Sequence, residues 1–304
     1  MLYFLIKKWV KATSWLFCKQ IRVINQQVLI KKGPILVVAN HPNSFLDAIL
    51  IGLFFTENVH FLARGDAFRQ KKHRFLLKLL KMIPIYRLSE GKENLHLNEY
   101  AFTESCRILE NGGIVLIFIE GICINSHTLQ PFKKGAARIA LRAKTQEPLQ
   151  IIPISITYNS FSTYGKNVLI SAGNAIKASN LFPFNDEAKN FLHFNNELKM
   201  QLNNLIQYSP EKTNQPNIPQ KALGIIGHLL HKPLYDLISN TIRIKTRGTV
   251  FYDSVLFGVL MLVYPIYLLL LTGLIFWISA SLPIAIAVLI LHLILARMAI
   301  LYRH

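Results

Sequence analysis

Apolar residues fall along the chain in two rhythms. Short aliphatic runs of strand length recur at Ile35-Leu36-Val37-Val38-Ala39, Asn58-Val59-His60-Phe61-Leu62-Ala63-Arg64, Ile83-Pro84-Ile85-Tyr86-Arg87, Ile114-Val115-Leu116-Ile117-Phe118-Ile119, residues 151–157 and residues 167–171. β-Branched and aromatic residues dominate them, and Gly, Pro, Asn or charged residues bound them. The run from Ile114 is apolar throughout, as a central strand buried on both faces requires. Between the runs lie stretches of helical character: an apolar one over 48–55, a basic one with Arg69, Lys71, Lys72, Arg74, Lys78 and Lys81 among leucines, one over 94–109 stopped by Asn111-Gly112-Gly113, one up to Ala143, and an amphipathic one over 185–207. Strands alternating with helices predict an α/β fold with a mixed central sheet flanked by helices, over residues 28–208.

The ends of the chain break this rhythm. Residues 1–27 carry aromatics among lysines, with Trp9 and Trp15 beside Lys7, Lys8 and Lys11. No uninterrupted apolar core or small-residue cleavage site marks a signal peptide, so an amphipathic helix in a membrane interface is expected. Residues 209–220 read as a linker, and 221–250, with Pro233 inside, as a pair of interfacial helices. Within 251–304, an uninterrupted uncharged run over 255–278 and a second over 282–302, broken only by His292 and Arg297, meet the roughly 20 residues that span a bilayer. They predict a transmembrane hairpin whose second helix needs Arg297 to snorkel. Arg243, Lys245, Arg247 and Arg303 flank the hairpin while its bend is uncharged, which puts both ends, and the α/β domain, on the cytoplasmic side of the membrane.

Charge narrows the choice of partner. A formal net charge of +18 over 304 residues, in a chain more than half apolar, belongs to a folded protein with a basic surface. Anionic lipid, nucleic acid or an acidic soluble partner would suit it. No RNP, helix-turn-helix or zinc signature accompanies the basic helix, which argues against nucleic acid. Cys18, Cys106 and Cys123 are isolated, without CxxC or metal-ligand spacing, so a reducing compartment and no metal are expected.

Candidate chemistry gathers at strand ends. Asn40-His41-Pro42-Asn43-Ser44-Phe45-Leu46-Asp47 lies where an apolar strand yields to a helix, the place where open α/β sheets hold reactive groups. A histidine there can take a proton from a hydroxyl, and a carboxylate on its other nitrogen fixes the tautomer. His41 is the candidate base and Asp47 its orienter; the same residues equally fit a capping box of Ser44 and Asp47. Glu120-Gly121 closes a second strand, and Arg87 at a third carries a fork of donors suited to phosphate.

Taken together, Asn40-His41 with the near Asp47, the strand ending in Arg87, Phe118-Ile119-Glu120-Gly121 and Ile152-Pro153-Ile154 resemble, in order and spacing, the blocks of the glycerophosphate acyltransferase family, which includes 1-acylglycerol-3-phosphate acyltransferase. Three features depart from its pattern. One more residue than usual separates His41 from Asp47, Pro84 stands where many members have glycine, and Ile122-Cys123-Ile124 replaces the usual Thr-Arg-Ser. The resemblance implies acyl transfer from a thioester, acyl-CoA or acyl carrier protein, to lysophosphatidic acid or glycerol 3-phosphate in phospholipid synthesis. It implies no cofactor beyond that cosubstrate. It casts His41 as base, Asp47 as its partner, Arg87 as holder of the acceptor phosphate, and Glu120 with Gly121 as lining of the acceptor site. Lys133 and Lys134, at a helix start, are expected to supply the cation that Ile122-Cys123-Ile124 lacks. A lyso-aminolipid O-acyltransferase and a non-catalytic membrane-anchored binding protein are the competing expectations.

Overall fold

The computed structural model describes residues 2–86, 96–206 and 217–302. Its elements run α1 (Leu2–Phe17), β1 (Cys18–Ile24), β2 (Ile35–Ala39), α2 (Phe45–Phe54), β3 (Val59–Arg64), α3 (Lys71–Leu79), β4 (Met82–Ile85), α4 (Asn98–Glu110), β5 (Ile114–Phe118), α5 (Gly135–Arg142), β6 (Gln150–Tyr158), β7 (Lys166–Ala172), β8 (Ile176–Lys177), α6 (Glu187–Leu205), α7 (Ile218–Lys245), α8 (Tyr252–Ser279) and α9 (Leu282–Leu301). The chain divides into two units: Met1–Tyr3, Arg22–Thr157 and Leu169–Tyr208 form the first, and Phe4–Ile21, Tyr158–Val168 and Ser209–His304 the second.

The sheet has the strand order β1-β7-β6-β2-β5-β3-β4, with β8 pairing β6. β2 is parallel to both β5 and β6, and β3 is parallel to β5 and β4, whereas β8 is antiparallel to β6. Every residue of β2 is buried, which a strand covered by helices on both faces demands. Side chains at alternate positions, Leu36 and Val38 with Val115 and Ile117, share one core with Leu109, Ile139 and Phe194 from α4, α5 and α6. A strand occupies Cys18–Ile24, where residues 1–27 read as helix throughout. Its Lys-Gln-Ile-Arg-Val alternation suits an edge strand, exposed at Gln20 and Arg22 and half-buried between.

In the second unit α8 and α9 are each long and apolar enough to cross a membrane. Leu269, Leu270 and Trp277 on α8 and Ile290 and Leu291 on α9 stay exposed. The stretch expected to form two helices over 221–250 is one helix, α7, opened by a reciprocal capping box between Asn217 and Gln220. Pro233 lies inside it without ending it, because a proline forfeits one backbone hydrogen bond and not the helix. Arg297 does not snorkel. Its guanidinium donates to the carbonyls of Trp15, Cys18 (2.8 Å) and Lys19 (3.0 Å), and it lies over the Trp15 ring at 4.7 Å. A carbonyl in the last turn of α1 and the first two of β1 are thereby satisfied.

Lys166 and Asp253 form an ion pair with both side chains fully buried, walled by the rings of Phe17 and Tyr158. Such a pair is dispensable only if both charges leave together. Lys166→Met strands the Asp253 charge and should cost about 3–5 kcal/mol, whereas Lys166→Met with Asp253→Leu should recover most of it. Chemical denaturation of the detergent-solubilised variants makes the comparison.

Candidate active site

The register of β2 on β5 builds the site. Ala39 pairs with Phe118, so the residues that follow, Asn40-His41 and Ile119-Glu120, leave the sheet side by side. The Ile119 N–H still donates to the Ala39 carbonyl (3.1 Å). On the other flank the Asn40 side chain continues the ladder where the backbone has turned away: its amide donates to Ile156 O (3.0 Å) and its carbonyl accepts from Ile156 N (2.8 Å). His41 therefore starts from a point fixed on both sides.

Its imidazole is fixed as firmly. Nδ1 lies 2.9 Å from Oδ2 of the fully buried Asp47. A carboxylate oxygen accepts, so Nδ1 carries the proton and Nε2 keeps its lone pair. The same Oδ2 accepts the Asn43 N–H at 2.7 Å, and the ring of Phe118 stacks on the imidazole with centroids 3.8 Å apart. Ser44 makes no capping hydrogen bond from its side chain at the start of α2. The expected capping box is thus absent, and Asp47 instead accepts an amide upstream of the helix together with the histidine. Between His41 and Asp47 the backbone turns at Ser44, whose φ of 55° lies in the left-handed region.

Glu120 is buried, and its two oxygens accept the backbone N–H groups of His41 (3.3 Å) and Gln130 (3.2 Å). Burial pushes its carboxyl up to about 7; these two amides oppose the shift and the nearby Asp47 charge adds to it. Gly121 follows with φ of 64°, and a Cβ there would come within 2.9 Å of Lys133 Cγ. Both the backbone angle and the close side chain favour glycine at that position. The segment after it folds back over the histidine loop: Ile124 N–H donates to His41 O (3.3 Å), Ser44 N–H to Cys123 Sγ (2.9 Å) and the Asn125 amide to Pro42 O (2.7 Å).

His41, Asp47, Glu120, Gly121 and Lys133 thus come together. Lys133 anchors its backbone on Ile119 O (2.8 Å), and the exposed Lys134 is the residue from which α5 starts. Arg87 lies outside the described residues; Tyr86 before it is held by the Asn98 side chain, which accepts from Tyr86 N and donates to Tyr86 O. Asn40 was read from the sequence as part of a motif and given no role. Its pairing with Ile156 depends on a strand more than a hundred residues away, which local pattern cannot reveal.

A sequence profile of the family described as Acyltransferase matches residues 20–157. A probable 1-acyl-sn-glycerol-3-phosphate acyltransferase of Mycoplasma genitalium is 29% identical over 150 residues, 48% of this chain and 52% of the relative. Over residues 20–157 the chain is similar to acyltransferases of the glycerophosphate family. A 1-acyl-sn-glycerol-3-phosphate acyltransferase of Borreliella burgdorferi is 23% identical over 171 residues, covering 56% of this chain and 64% of that one. The match thus spans roughly half to two thirds of these curated relatives. In fold the chain resembles the crystal structure of the 1-acyl-sn-glycerophosphate acyltransferase of Thermotoga maritima, with TM-score 0.50 and 21% identity over 69% of this chain and 81% of that one.

The raised carboxyl of Glu120 has a definite thermodynamic sign. Unfolded, the group ionises near the ordinary carboxyl value of 4.5, and folded at about 7. Between those values the native state binds more protons than the unfolded one, so this group's contribution to stability falls as pH rises through the window and is lost above about 7. Melting temperature followed from pH 4.5 to pH 7 should therefore decline more in the native protein than in Glu120→Gln.

Proposed function

We propose that the chain is a membrane-anchored acyltransferase that moves a fatty acyl group from an acyl thioester to the free hydroxyl of lysophosphatidic acid. The contact between His41 Nδ1 and Asp47 Oδ2 carries this reading, together with the similarity to acyltransferases. His41 Nε2 takes the proton of the acceptor hydroxyl as the oxygen attacks the thioester carbonyl, and Asp47 stabilises the imidazolium that forms. Collapse of the tetrahedral intermediate expels the thiolate, which takes the same proton back from His41. The direct attack needs no enzyme nucleophile, and the thioester supplies an activated leaving group. Glu120 holds the His41 backbone and the 122–130 loop together, and Phe118 keeps the ring in plane.

The membrane part of the proposal rests on α8 and α9. Each is long and apolar enough to span a bilayer, and the cations at Arg243, Lys245 and Arg247 precede them. A hairpin with both ends in the cytoplasm would keep the acyltransferase domain on that face. Acyl-CoA and acyl carrier protein are the donors to try, and Arg87, Lys133 and Lys134 are the cations proposed to meet the acceptor phosphate.

His41→Ala should lower turnover by at least ~10²–10⁴-fold when assayed on folded protein well below its melting temperature, which should itself fall because the buried Asp47 loses a partner. Near-normal turnover would overturn the mechanism, and Asp47→Asn should cost rate as well as stability, since its carboxylate holds both the ring and Asn43.

Replacing Arg87 or the Lys133/Lys134 pair should raise KM for lysophosphatidic acid about ten- to a hundredfold, the worth of a lost charge-assisted hydrogen bond, with little change for the acyl donor. Initial rates on a phosphate acceptor and on an uncharged lysolipid provide the measurement. Equal losses on both would move the lyso-aminolipid reading ahead.

A further inference from the structure

Helix α3 is built in a way that its own unit does not explain. It has nine residues, Lys-Lys-His-Arg-Phe-Leu-Leu-Lys-Leu, and so short a helix is marginal in water unless packing holds it. It rests on the turn Gly65–Phe68 and on β4, and Arg74 Nε donates to Phe68 O (3.1 Å). Yet its described side chains include no fully buried one. Leu77 and Leu79 are half-buried, which accounts for the inner side, while Phe75 is 72% and Leu76 50% exposed. Two large apolar side chains therefore stand outward among Lys71, Lys72, Arg74 and Lys78, and the helix contains no acidic residue.

We propose that α3 docks the first unit onto an anionic bilayer surface, Phe75 and Leu76 entering the headgroup region and Lys71, Lys72 and Lys78 meeting lipid phosphates. An apolar tip ringed by cations matches an interface that is anionic outside and apolar beneath. The position of the helix gives the docking a use. β3 runs parallel to β5, so α3, entered from the carboxyl end of β3, begins at the sheet edge that carries His41 and Glu120. A bilayer held there presents its lipids to that edge, which deepens the function proposed above and rests on it for the identity of the acceptor. The two apolar helices would keep the chain at a bilayer in any case. Docking by α3 then needs only weak affinity, because tethering makes it intramolecular.

Hydrogen exchange on the full chain reads the contact directly. The protein is reconstituted in nanodiscs of phosphatidylcholine alone and of phosphatidylcholine with phosphatidylglycerol, and exchange of the 71–80 amides is followed at low and high salt. The expected result is exchange slower by about tenfold in the anionic discs, diminished by high salt and abolished by Phe75→Ser with Leu76→Ser and by Lys71→Glu with Lys72→Glu. These side chains are exposed, so neither double variant threatens the fold. Exchange alike in the two discs would overturn the proposal, and so would protection that arises only on adding an acidic carrier protein or RNA. Because the readout does not use turnover, a docked but inactive chain refutes the function and not the docking. An active chain with unprotected α3 does the reverse.

Discussion

Parallel pairing of β2 with β5 is the constraint on which the site depends. Two strands far apart in sequence end at one level because Ala39 sits opposite Phe118. A slip of one residue would turn every side chain of a strand to the other face, moving Phe118 off the imidazole and Glu120 away from the His41 amide. Burial defends the register: β2 is covered on both faces, so a slipped strand would press a different set of side chains against each core. The precision of the site is thus set by packing well away from any reacting atom.

Around that level the polar groups form a closed set of mutual obligations. Asp47 serves both the histidine and the Asn43 amide, Glu120 serves the histidine backbone and Gln130, and Asn40 ties the turn to β6. Buried acceptors without donors would be costly, so each of these contacts stabilises the fold while orienting the ring. The Ile122-Cys123-Ile124 departure is absorbed in the same way. Backbone and thiol contacts, from Ile124 N to His41 O and from Ser44 N to Cys123 Sγ, pin the loop.

The fold and the His41–Asp47 pair were legible because both are written in local pattern. The aliphatic runs were found as strands, and His41, Asp47 and Glu120 were found because they sit where such runs end. Three things were hidden. β1 escaped because Trp15, Leu16 and Phe17 run into Cys18 without a break in apolar content, and only sheet pairing distinguishes the two conformations. The unity of α7 escaped because Pro233 is a helix breaker on average and not in every context. The roles of Asn40 and Glu120 as backbone anchors escaped because their partners, Ile156 and Gln130, are chosen by the three-dimensional arrangement and leave no mark in spacing. Arg297 taught the same lesson: read as a cation to be tolerated in an apolar helix, it is the donor that finishes another helix.

That last contact also governs how the junction between α1 and β1 can move. One guanidinium holds the Trp15 carbonyl, in the last turn of α1, together with the carbonyls of Cys18 and Lys19, the first two residues of β1. Helix and strand are thus gripped at their meeting point by a single planar group, and a rotation of α9 about its own axis would turn that meeting point with it. An arginine suits the task because its donors lie in one rigid fork, whereas the compact ammonium of a lysine offers no such plane.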